Sequence, residues 1–523
     1  MAEIHKAPDH IDHVEESAYA AKAVPDVVKV EGGVLLDAGT KNEYHLKVAK
    51  DGHTVLLPQP SDNPEDPLLW SVFNKHALLF TLAYGAFTAD AISGECTALI
   101  VAQGTDWGMN PNTVNHANTL NILLLGISAL FFVPLSTWWG RAPTLFWSAF
   151  IALFLNLGVA LSTDWDTYYV LRVLSGLFSN APPSIAIGCL RDIFFFHERA
   201  RKIGFWTCLF IASPYMGPLF ANFMLAGLGE WRPVLWLGLA MHALYVCTLV
   251  VFLDETWYNR DPAHSDQPPR GSAFLDRMLR VTGFWQIRHH KYFMTLRHSL
   301  TRFFQALLKP VLLIVYFNYF IAFAWAVGIN VTTAILFATP VEFGGYGYNY
   351  RQLGFLYFTP VVGILLGEAF GHFANDFLAK IYVRRHKGVF EPEVRLFMAY
   401  IAAFLMILGL VLLGQGLYHK LNVGVIIIGW GAQVCGLVIL SVTTFAYAVD
   451  SYPTASAETA GWVSFIRVAG GFSVGYYQQP WGEAVGYNNS FGTQAALVGL
   501  GMLLIIVAHK FGHRLRVKSG DIN

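Results

Sequence analysis

Residues 77–101 read ALLFTLAYGAFTADAISGECTALIV, an apolar run long enough to cross a bilayer, which takes about 20 residues. Asp90 lies near the middle of this run, and Glu95 follows five residues later. A charged side chain near the bilayer centre costs roughly 2.5–3.5 kcal/mol on insertion scales, so acids inside a membrane span usually have a function. Asp90 and Glu95 are therefore the first candidates for a functional site.

The composition of the whole chain is that of a membrane protein with many spans. Of its 523 residues, 54% are hydrophobic and 13% are charged, and the mean hydropathy is +0.44. A soluble protein carries about 25% charged residues. The net charge of zero gives no sign of nucleic-acid binding, and the five cysteines show neither a disulfide framework nor metal-ligand spacing. We therefore expect no cofactor and no metal.

Apolar runs of suitable length predict an all-α membrane protein with twelve transmembrane helices. The long polar segment 254–309 divides the twelve into two halves of six. The predicted spans are 77–101, 119–138, 144–162, 168–191, 203–226, 233–253, 310–338, 350–374, 396–415, 422–447, 459–481 and 492–509.

The positions of lysine and arginine orient these spans. Most Lys and Arg residues fall in the loops on the same side of the membrane as the two termini, and nine of them are in 254–309. Because such residues stay on the cytoplasmic side, we expect both termini to be cytoplasmic. The predicted organisation is a largely disordered tail (1–76), a first half (77–253), a central loop (254–309), a second half (310–509) and a tail (510–523). Basic and apolar residues alternate at helical spacing in the central loop, which favours interfacial amphipathic helices, with a lipid-sensing or regulatory role as the alternative.

The two halves resemble each other at their cytoplasmic ends, which indicates an internal repeat. An Asp closes both the fourth span (Asp192) and the tenth (Asp450), with an aromatic residue two positions later and a Glu before the next span. These acids could form salt bridges with arginines that break and remake as the halves move. The alternative is a static surface pair worth less than about 1 kcal/mol.

Several motifs together resemble a fungal transporter of the major facilitator superfamily along nearly the whole chain. They are LLPQPSDNPEDPLLW (56–70), Gly140-Arg141, YVLRVLSGLFSNAPP (169–183), SPYMGPL (213–219), WRPVLW (231–236), DETW (254–257) and YAVDSYP (447–453). The chain is most similar to the twelve-span drug:proton antiporter group, which includes polyamine and organic-cation carriers. It departs from the family pattern at Trp138 and Trp139, where an acid and a base are usual, and at Ala221 and Asn222, where glycines are usual.

The resemblance implies a major facilitator fold of two pseudo-symmetric halves and proton-coupled transport by alternating access. For gating it favours Arg141, Asp192, Gly217, Pro218, Asp376, Asp450 and Arg467. In particular, we expect Arg467 to pair with Asp450 or Glu458 near the cytoplasmic face, and the segment 213–218 to form a hinge or a tight seam between the halves.

Helical geometry separates the two acids of the first span. Five residues at about 100° each place Asp90 and Glu95 roughly 140° apart. Glu95 shares a polar and aromatic stripe with Tyr84 and Thr88, so we expect it to meet substrate or water. Asp90 shares a small-residue stripe with Gly94, which favours a buried proton site or a hydrogen-bonded packing residue.

Other spans supply further candidates for substrate binding or coupling. Arg172 and Glu368 are charged residues inside predicted spans and need partners there. Span seven carries aromatic and amide side chains at helical spacing, which suits an amphipathic or cationic organic guest. The candidates are Asp90, Glu95, Tyr84, Arg172, Tyr316, Asn318, Tyr319, Trp325 and Glu368, where the alternative for each is ordinary packing.

The sequence thus predicts a monomeric, multi-pass plasma-membrane transporter whose partners are a small molecule, protons and the lipid bilayer. Export of drugs or secondary metabolites is the leading interpretation, and import of polyamines or other organic cations is the alternative. Deep acids outnumber deep bases in the predicted spans, which mildly favours a cationic or neutral cargo. We found no nucleophile–base pair or phosphate-binding loop, so we do not expect an enzyme; a transceptor that signals without transport is a further alternative.

Overall fold

The chain folds into long helices in the computed structural model, which describes residues 29–30, 33–35, 47–49, 55–260, 267–271, 273–338, 345–386 and 389–522. The helices are α1 (Val72–Trp107), α2 (Pro111–Trp139), α3 (Arg141–Leu161), α4 (Trp165–Ser179), α5 (Ala181–Ile193), α6 (Phe196–Leu228), α7 (Arg232–Phe252), α8 (Phe274–Thr282), α9 (Phe284–Arg288), α10 (Leu296–Leu307), α11 (Pro310–Ala338), α12 (Tyr350–Leu356), α13 (Phe358–Arg385), α14 (Phe397–Tyr418), α15 (Val423–Ser451), α16 (Ser456–Val485) and α17 (Tyr487–Ser519).

The long helices form twelve membrane spans in two halves of six, as the sequence predicts. Within the described ranges, eleven segments are long and apolar enough to cross a membrane. The twelfth, α16, has 30 residues but is more polar, because it carries Glu458, Arg467 and Glu483. The fourth span is split into α4 and α5 at Asn180, since Pro182 and Pro183 lack the N–H groups that would continue the helix. The eighth span is likewise split, into α12 and α13, at Tyr357.

Glycines allow the closest helix contacts inside each half. A side chain at Gly217 of α6 would collide with the carbonyl oxygen of Ala91 in α1, and one at Gly94 would meet the carbonyl oxygen of Pro214. In the second half, Gly470 of α16 abuts the backbone of Phe320 in α11 in the same way. The segment 213–218 thus packs tightly on α1 within the first half, and its Pro214 and Tyr215 also contact the second half. α6 runs through both prolines without a break. We refer below to the side where α1 begins and α17 ends as the terminal end, and to the other side as the far end.

Residues before α1 are packed against the terminal end. Leu57 and Leu68 are buried, and the carbonyl of Leu57 accepts a hydrogen bond from the N–H of Phe196. Burial disfavours the ionised form of Asp66, but the guanidinium of Arg260 at 2.8 Å outweighs that cost and lowers the pKa of Asp66. The described residues 55–71, which the sequence assigned to a largely disordered tail, are thus packed against the helices, and the disorder of the tail as a whole stays a prediction. Further upstream, strands β1 (Lys29–Val30) and β2 (Gly33–Leu35) form an antiparallel sheet with β3 (Val389–Phe390) of the second half.

The central loop forms helices that attach to both halves at the terminal end. The hydroxyl of Ser299 in α10 donates to the carbonyl of Pro134 in α2, at 2.9 Å. On its other side, the carbonyl of Phe303 accepts a hydrogen bond from the indole of Trp462 in α16, at 2.7 Å. α10 is therefore wedged between the two halves.

Candidate functional site

A small cavity lies between the two halves, midway along the helices. It is formed by α1, α2 and α6 of the first half and by α11 and α16 of the second. Its lining residues are Asp90, Ser93, Gly94, Thr97, Ile122, Leu125, Pro214, Phe323, Val327, Asn330, Arg467 and Val468. The cavity volume is about 70 Å³, whereas pockets for drug-sized ligands measure roughly 300–1,000 Å³. The halves must therefore part before such a ligand fits.

A salt bridge between Asp90 and Arg467 crosses this cavity from one half to the other. The Asp90 Oδ2 and Arg467 Nη2 atoms are 2.7 Å apart, and the two side chains are 7% and 2% exposed. The guanidinium also lies over the ring of Phe210, 3.9 Å from its centroid, and 5.1 Å from that of Phe323. Two buried charges are tolerated when they are paired like this, and either one alone is expensive.

This pairing corrects the expected position of Arg467. Asp450 instead bonds Arg395, with 2.5 Å between Nε and Oδ2, and Glu458 faces Arg302 at 3.5 Å. Arg467 begins the fourth turn of α16, which is far enough from the terminal end to reach the level of Asp90. The sequence therefore led us to assign Arg467 to gating, whereas the structure places it opposite Asp90, the candidate proton site.

Glu95 lies outside the cavity, in the interior of the first half. Its side chain is 2% exposed and points at α7, where a side chain added at Gly238 would collide with the carboxylate. The atom Glu95 Oε1 has no hydrogen-bond partner among the described residues. The stripe that carries Glu95 faces α7 and not the other half, and the expected contact of Glu95 with substrate or water stays a prediction.

Arg172 holds the cavity wall in place from behind. Its guanidinium donates to the carbonyl oxygens of Ile92 and Ser93, at 2.9 and 3.0 Å, next to Asp90 on α1. Asn121 of α2 completes the link, because it accepts from the Ser93 hydroxyl at 2.8 Å and donates to the Arg172 carbonyl at 2.7 Å. Arg172 therefore has backbone partners at Nη2, whereas its Nε atom has no partner among the described residues, and it acts on the cavity through the position of α1.

Span seven contributes different residues from those expected. Tyr316 and Tyr319 donate to the Thr459 carbonyl and to the Ser441 hydroxyl, at 3.3 and 2.9 Å, and are used for packing inside the second half. Asn318 packs against Gly501 of α17 and Trp325 lies near Trp481, so neither of them lines the cavity.

The residues of α11 that do line the cavity are Phe323, Val327 and Asn330. The Asn330 amide donates to the Pro214 carbonyl at 3.3 Å and accepts from the Tyr357 hydroxyl at 2.8 Å. Phe323 falls on the same predicted stripe as Tyr316 and Tyr319, so spacing could have found it. Asn330 is one of the amide side chains that the sequence places on span seven, and its partners come from α6 and the eighth span.

Two other candidates lie away from the cavity. Tyr84 donates to the carbonyl of Met241 in α7, at 3.1 Å, and its ring stacks on the exposed Phe80. Glu368 is half-buried on α13, among the exposed side chains Leu365, Leu366 and Phe370. The structure therefore gives neither residue a place in the cavity wall.

Equivalent arginine–aspartate pairs occur at the terminal end of both halves. Arg141 at the start of α3 lies 2.6 Å from Asp192 at the end of α5, and Arg395 before α14 pairs with Asp450 at the end of α15. The side chain of Asp376, which we also expected in a gate, lies outside the described part of the structure. Gly217 and Pro218 lie in the α1–α6 contact.

In the first half, the central loop supplies an additional acid to this pair. The carboxylate of Glu255 accepts from the backbone N–H groups of Arg141 and Ala142, both at 3.2 Å, and from the Gln286 amide at 3.0 Å. An anion at a helix N-terminus is stabilised by unpaired N–H groups and the helix dipole. Glu255 thus supports α3 although Trp138 and Trp139 replace the usual charged residues.

The halves contact each other at both ends of the molecule. At the terminal end, Arg191 donates to the Thr454 carbonyl at 2.9 Å, and Arg302 does so at 2.8 Å. At the far end, the rings of His116 and Tyr476 lie 5.4 Å apart, and a side chain at Gly475 would touch Thr119. The cavity therefore lies between a seam at the terminal end and a seam at the far end.

Two six-helix halves around a central, mostly apolar cavity that an ion pair bridges define a membrane transporter. The chain matches the Major Facilitator Superfamily over residues 76–476 and belongs to that family. It is 26% identical to the efflux pump bik6 of Gibberella fujikuroi, with 90% of this chain and 95% of the pump aligned. It is 24% identical to the MFS-type transporter hepF of Aspergillus oryzae, over 87% of this chain and 93% of that protein.

The fold is also similar to that of a solved structure, the proton:xylose symporter XylE. The TM-score is 0.56 at 14% sequence identity, over 86% of this chain and all of XylE. The predicted family and fold are thus confirmed.

Proposed function

We propose that this transporter is a proton-coupled exporter of small amphipathic organic compounds that works by alternating access. The observation that carries the proposal is the Asp90–Arg467 bridge, which joins the halves in the wall of the cavity. Protonation of Asp90 would remove the charge that holds Arg467, and the halves could then part. Loss of the proton would restore the bridge and close the cavity.

The cavity wall suits an amphipathic guest. Ile122, Leu125, Phe323 and Val327 supply apolar surface, and a few polar groups from Ser93, Thr97 and Asn330 are available to orient the ligand. The direction of transport is proposed from the relatives, since bik6 is named an efflux pump. We place the protein in the plasma membrane as a monomer, with the terminal end in the cytoplasm.

Import of polyamines or other organic cations is the second candidate. It is favoured by Asp90, the one carboxylate among the described lining residues, which could bind a cationic cargo once Arg467 is released. The excess of deep acids over deep bases no longer supports it, because Arg467 balances Asp90 in the cavity and Glu95 and Glu368 lie outside it.

Reconstituted flux measurements test both candidates. Purified protein in proteoliposomes is given a pH gradient, and uptake of radiolabelled spermidine is compared with movement of a panel of fluorescent amphipathic dyes. We expect gradient-driven dye movement by the wild type and none by Asp90→Asn, with Glu368→Gln as the control that keeps it. Spermidine movement without dye movement would favour the second candidate. If neither moves in response to the gradient, the coupled-transport proposal fails.

A further inference from the structure

A second enclosed space lies between the halves near the terminal end, away from the central cavity. It is formed by α6 of the first half and by α13, α15 and the turn before α14 of the second half. Its lining residues are Phe196, Arg199, Ile203, Gly204, Asn375, Arg395, Val442, Ala446, Val449 and Asp450.

Arg199 is buried in this space, and no carboxylate of the described side chains forms a salt bridge with it. Its side chain is 5% exposed, and its Nε atom has no hydrogen-bond partner among the described residues. The ring of Phe196, with its centroid 5.6 Å from the guanidinium, gives partial compensation only. Burying a charge is costly unless it is paired and hydrogen-bonded, so Arg199 calls for a partner.

The carboxylates nearest to Arg199 are already engaged. Asp450 is bonded to Arg395 and Asp192 to Arg141. The guanidiniums of Arg191 and Arg260 repel Arg199, while the carboxylates of Asp450 and Asp192 attract it from within their own pairs. Among the described residues, no carboxylate is therefore bonded to Arg199 itself.

Asn375 adds a second unsatisfied group to the same wall. Its side chain is 3% exposed, and neither its amide nitrogen nor its amide oxygen finds a hydrogen-bond partner in the described residues. A water molecule could satisfy the amide but would leave the charge of Arg199 unbalanced. An anion would meet both needs, since it accepts hydrogen bonds from the amide and from the guanidinium.

We propose that Arg199 and Asn375 bind a small inorganic anion, of about the size of chloride, between the two halves. The cavity volume of about 30 Å³ is small and favours a single ion of this size. Because Arg199 belongs to the first half and Asn375 to the second, the bound ion links the halves and stabilises the form in which the terminal end is closed. The proposal does not depend on the cargo or on proton coupling.

Thermal unfolding of the purified full-length protein in detergent tests the site. Gluconate is replaced stepwise by chloride at constant ionic strength, with sulfate in a parallel series. We expect a saturable rise in the unfolding temperature with chloride and none with sulfate. The rise should be lost in Arg199→Gln and reduced in Asn375→Leu. Arg201→Gln is the matched control, because Arg201 is exposed two residues along the same helix, and it should respond like the wild type.

Two results would overturn the proposal. One is an unfolding temperature of the wild type that does not change with chloride or that rises equally with sulfate. The other is an unchanged chloride response in both cavity variants. Should neither variant fold, crystals of the wild type grown in bromide decide the matter: anomalous density beside Arg199 supports the site, and its absence there refutes it.

Discussion

Asp90 and Glu95 are carboxylates on the same helix, equally buried, and each lies near an arginine. Asp90 forms a salt bridge with Arg467 of the other half. Arg172, the arginine near Glu95, instead donates its hydrogen bonds to backbone carbonyls of α1. The two acids therefore differ in whether a movement of one half against the other would change their surroundings. Asp90 has its partner in the other half, and Glu95 is enclosed by helices of its own half. We infer that burial alone does not identify a coupling residue in such a protein; the partner must belong to the half that moves.

The largest expected effect comes from removing one member of the Asp90–Arg467 pair. Arg467→Gln leaves a buried carboxylate without its counter-charge, and breaking a buried pair in this way typically costs roughly 3–5 kcal/mol. We expect lower thermal stability in detergent and no gradient-driven flux.

The double variant Asp90→Asn with Arg467→Gln separates folding from coupling. It removes both charges together, so it should regain much of the thermal stability while flux stays independent of the pH gradient. A double variant that recovers gradient-driven flux would show that the pair is structural.

A second prediction tests whether Glu95 is a packing residue. Gly238→Ala places a methyl group against the Glu95 carboxylate, and overpacking of this kind costs about 1–3 kcal/mol. Adding Glu95→Ala should restore part of that loss, which a double-mutant cycle of unfolding temperatures would measure. Gly227→Ala is the control, because a side chain there meets nothing within 4 Å and should not destabilise. Strictly additive effects at positions 95 and 238 would contradict the contact.

A third prediction tests whether cargo binds in the cavity that Asp90 lines, next to Phe323. Phe323→Leu removes a ring that lines the cavity and faces Arg467, so we expect the KM for aromatic cargo to rise by about 2–10-fold, as for the loss of roughly 0.5–1.5 kcal/mol of aromatic contact. Phe317 lies on the same helix and its ring is exposed, so Phe317→Leu should leave the KM unchanged. Equal KM values for the two variants would argue against binding at this cavity.

The smallest effect is expected at Glu95 itself. Glu95→Gln keeps the shape of the side chain, and the site touches neither the cavity nor the other half. Flux and KM should therefore stay within about twofold of the wild type, a difference of less than roughly 0.5 kcal/mol. A large loss of cargo affinity would restore the interpretation drawn from the sequence.

The fold was predictable because each span must supply about 20 apolar residues, and the twelve runs in this chain are long and well separated. The bounds of α11, for example, agree with the predicted span 310–338. The packed residues before α1 were missed, because a segment rich in proline and acids does not reveal that Asp66 has Arg260 as its partner.

The site was predictable only in part, because a helical wheel gives angles between residues and not the direction in which a helix faces. The roughly 140° between Asp90 and Glu95 distinguished the two acids correctly, but nothing local indicated which of them faces the second half. Arg467 is separated from Asp90 by 377 residues, so nearer acids such as Asp450 were the natural assignment. Tertiary packing decides which arginine pairs with which acid inside the membrane.

The seams at the two ends also affect the proton permeability of the membrane when the transporter carries no cargo. Seams that exclude water from both sides of Asp90 would leave protons no continuous path along which to run down their gradient. A cell can then keep many copies in place without dissipating energy. Substitutions that loosen a seam, for instance a bulky residue at Gly475, should harm cells mainly by making the membrane leaky, and that harm would appear even where no cargo is present.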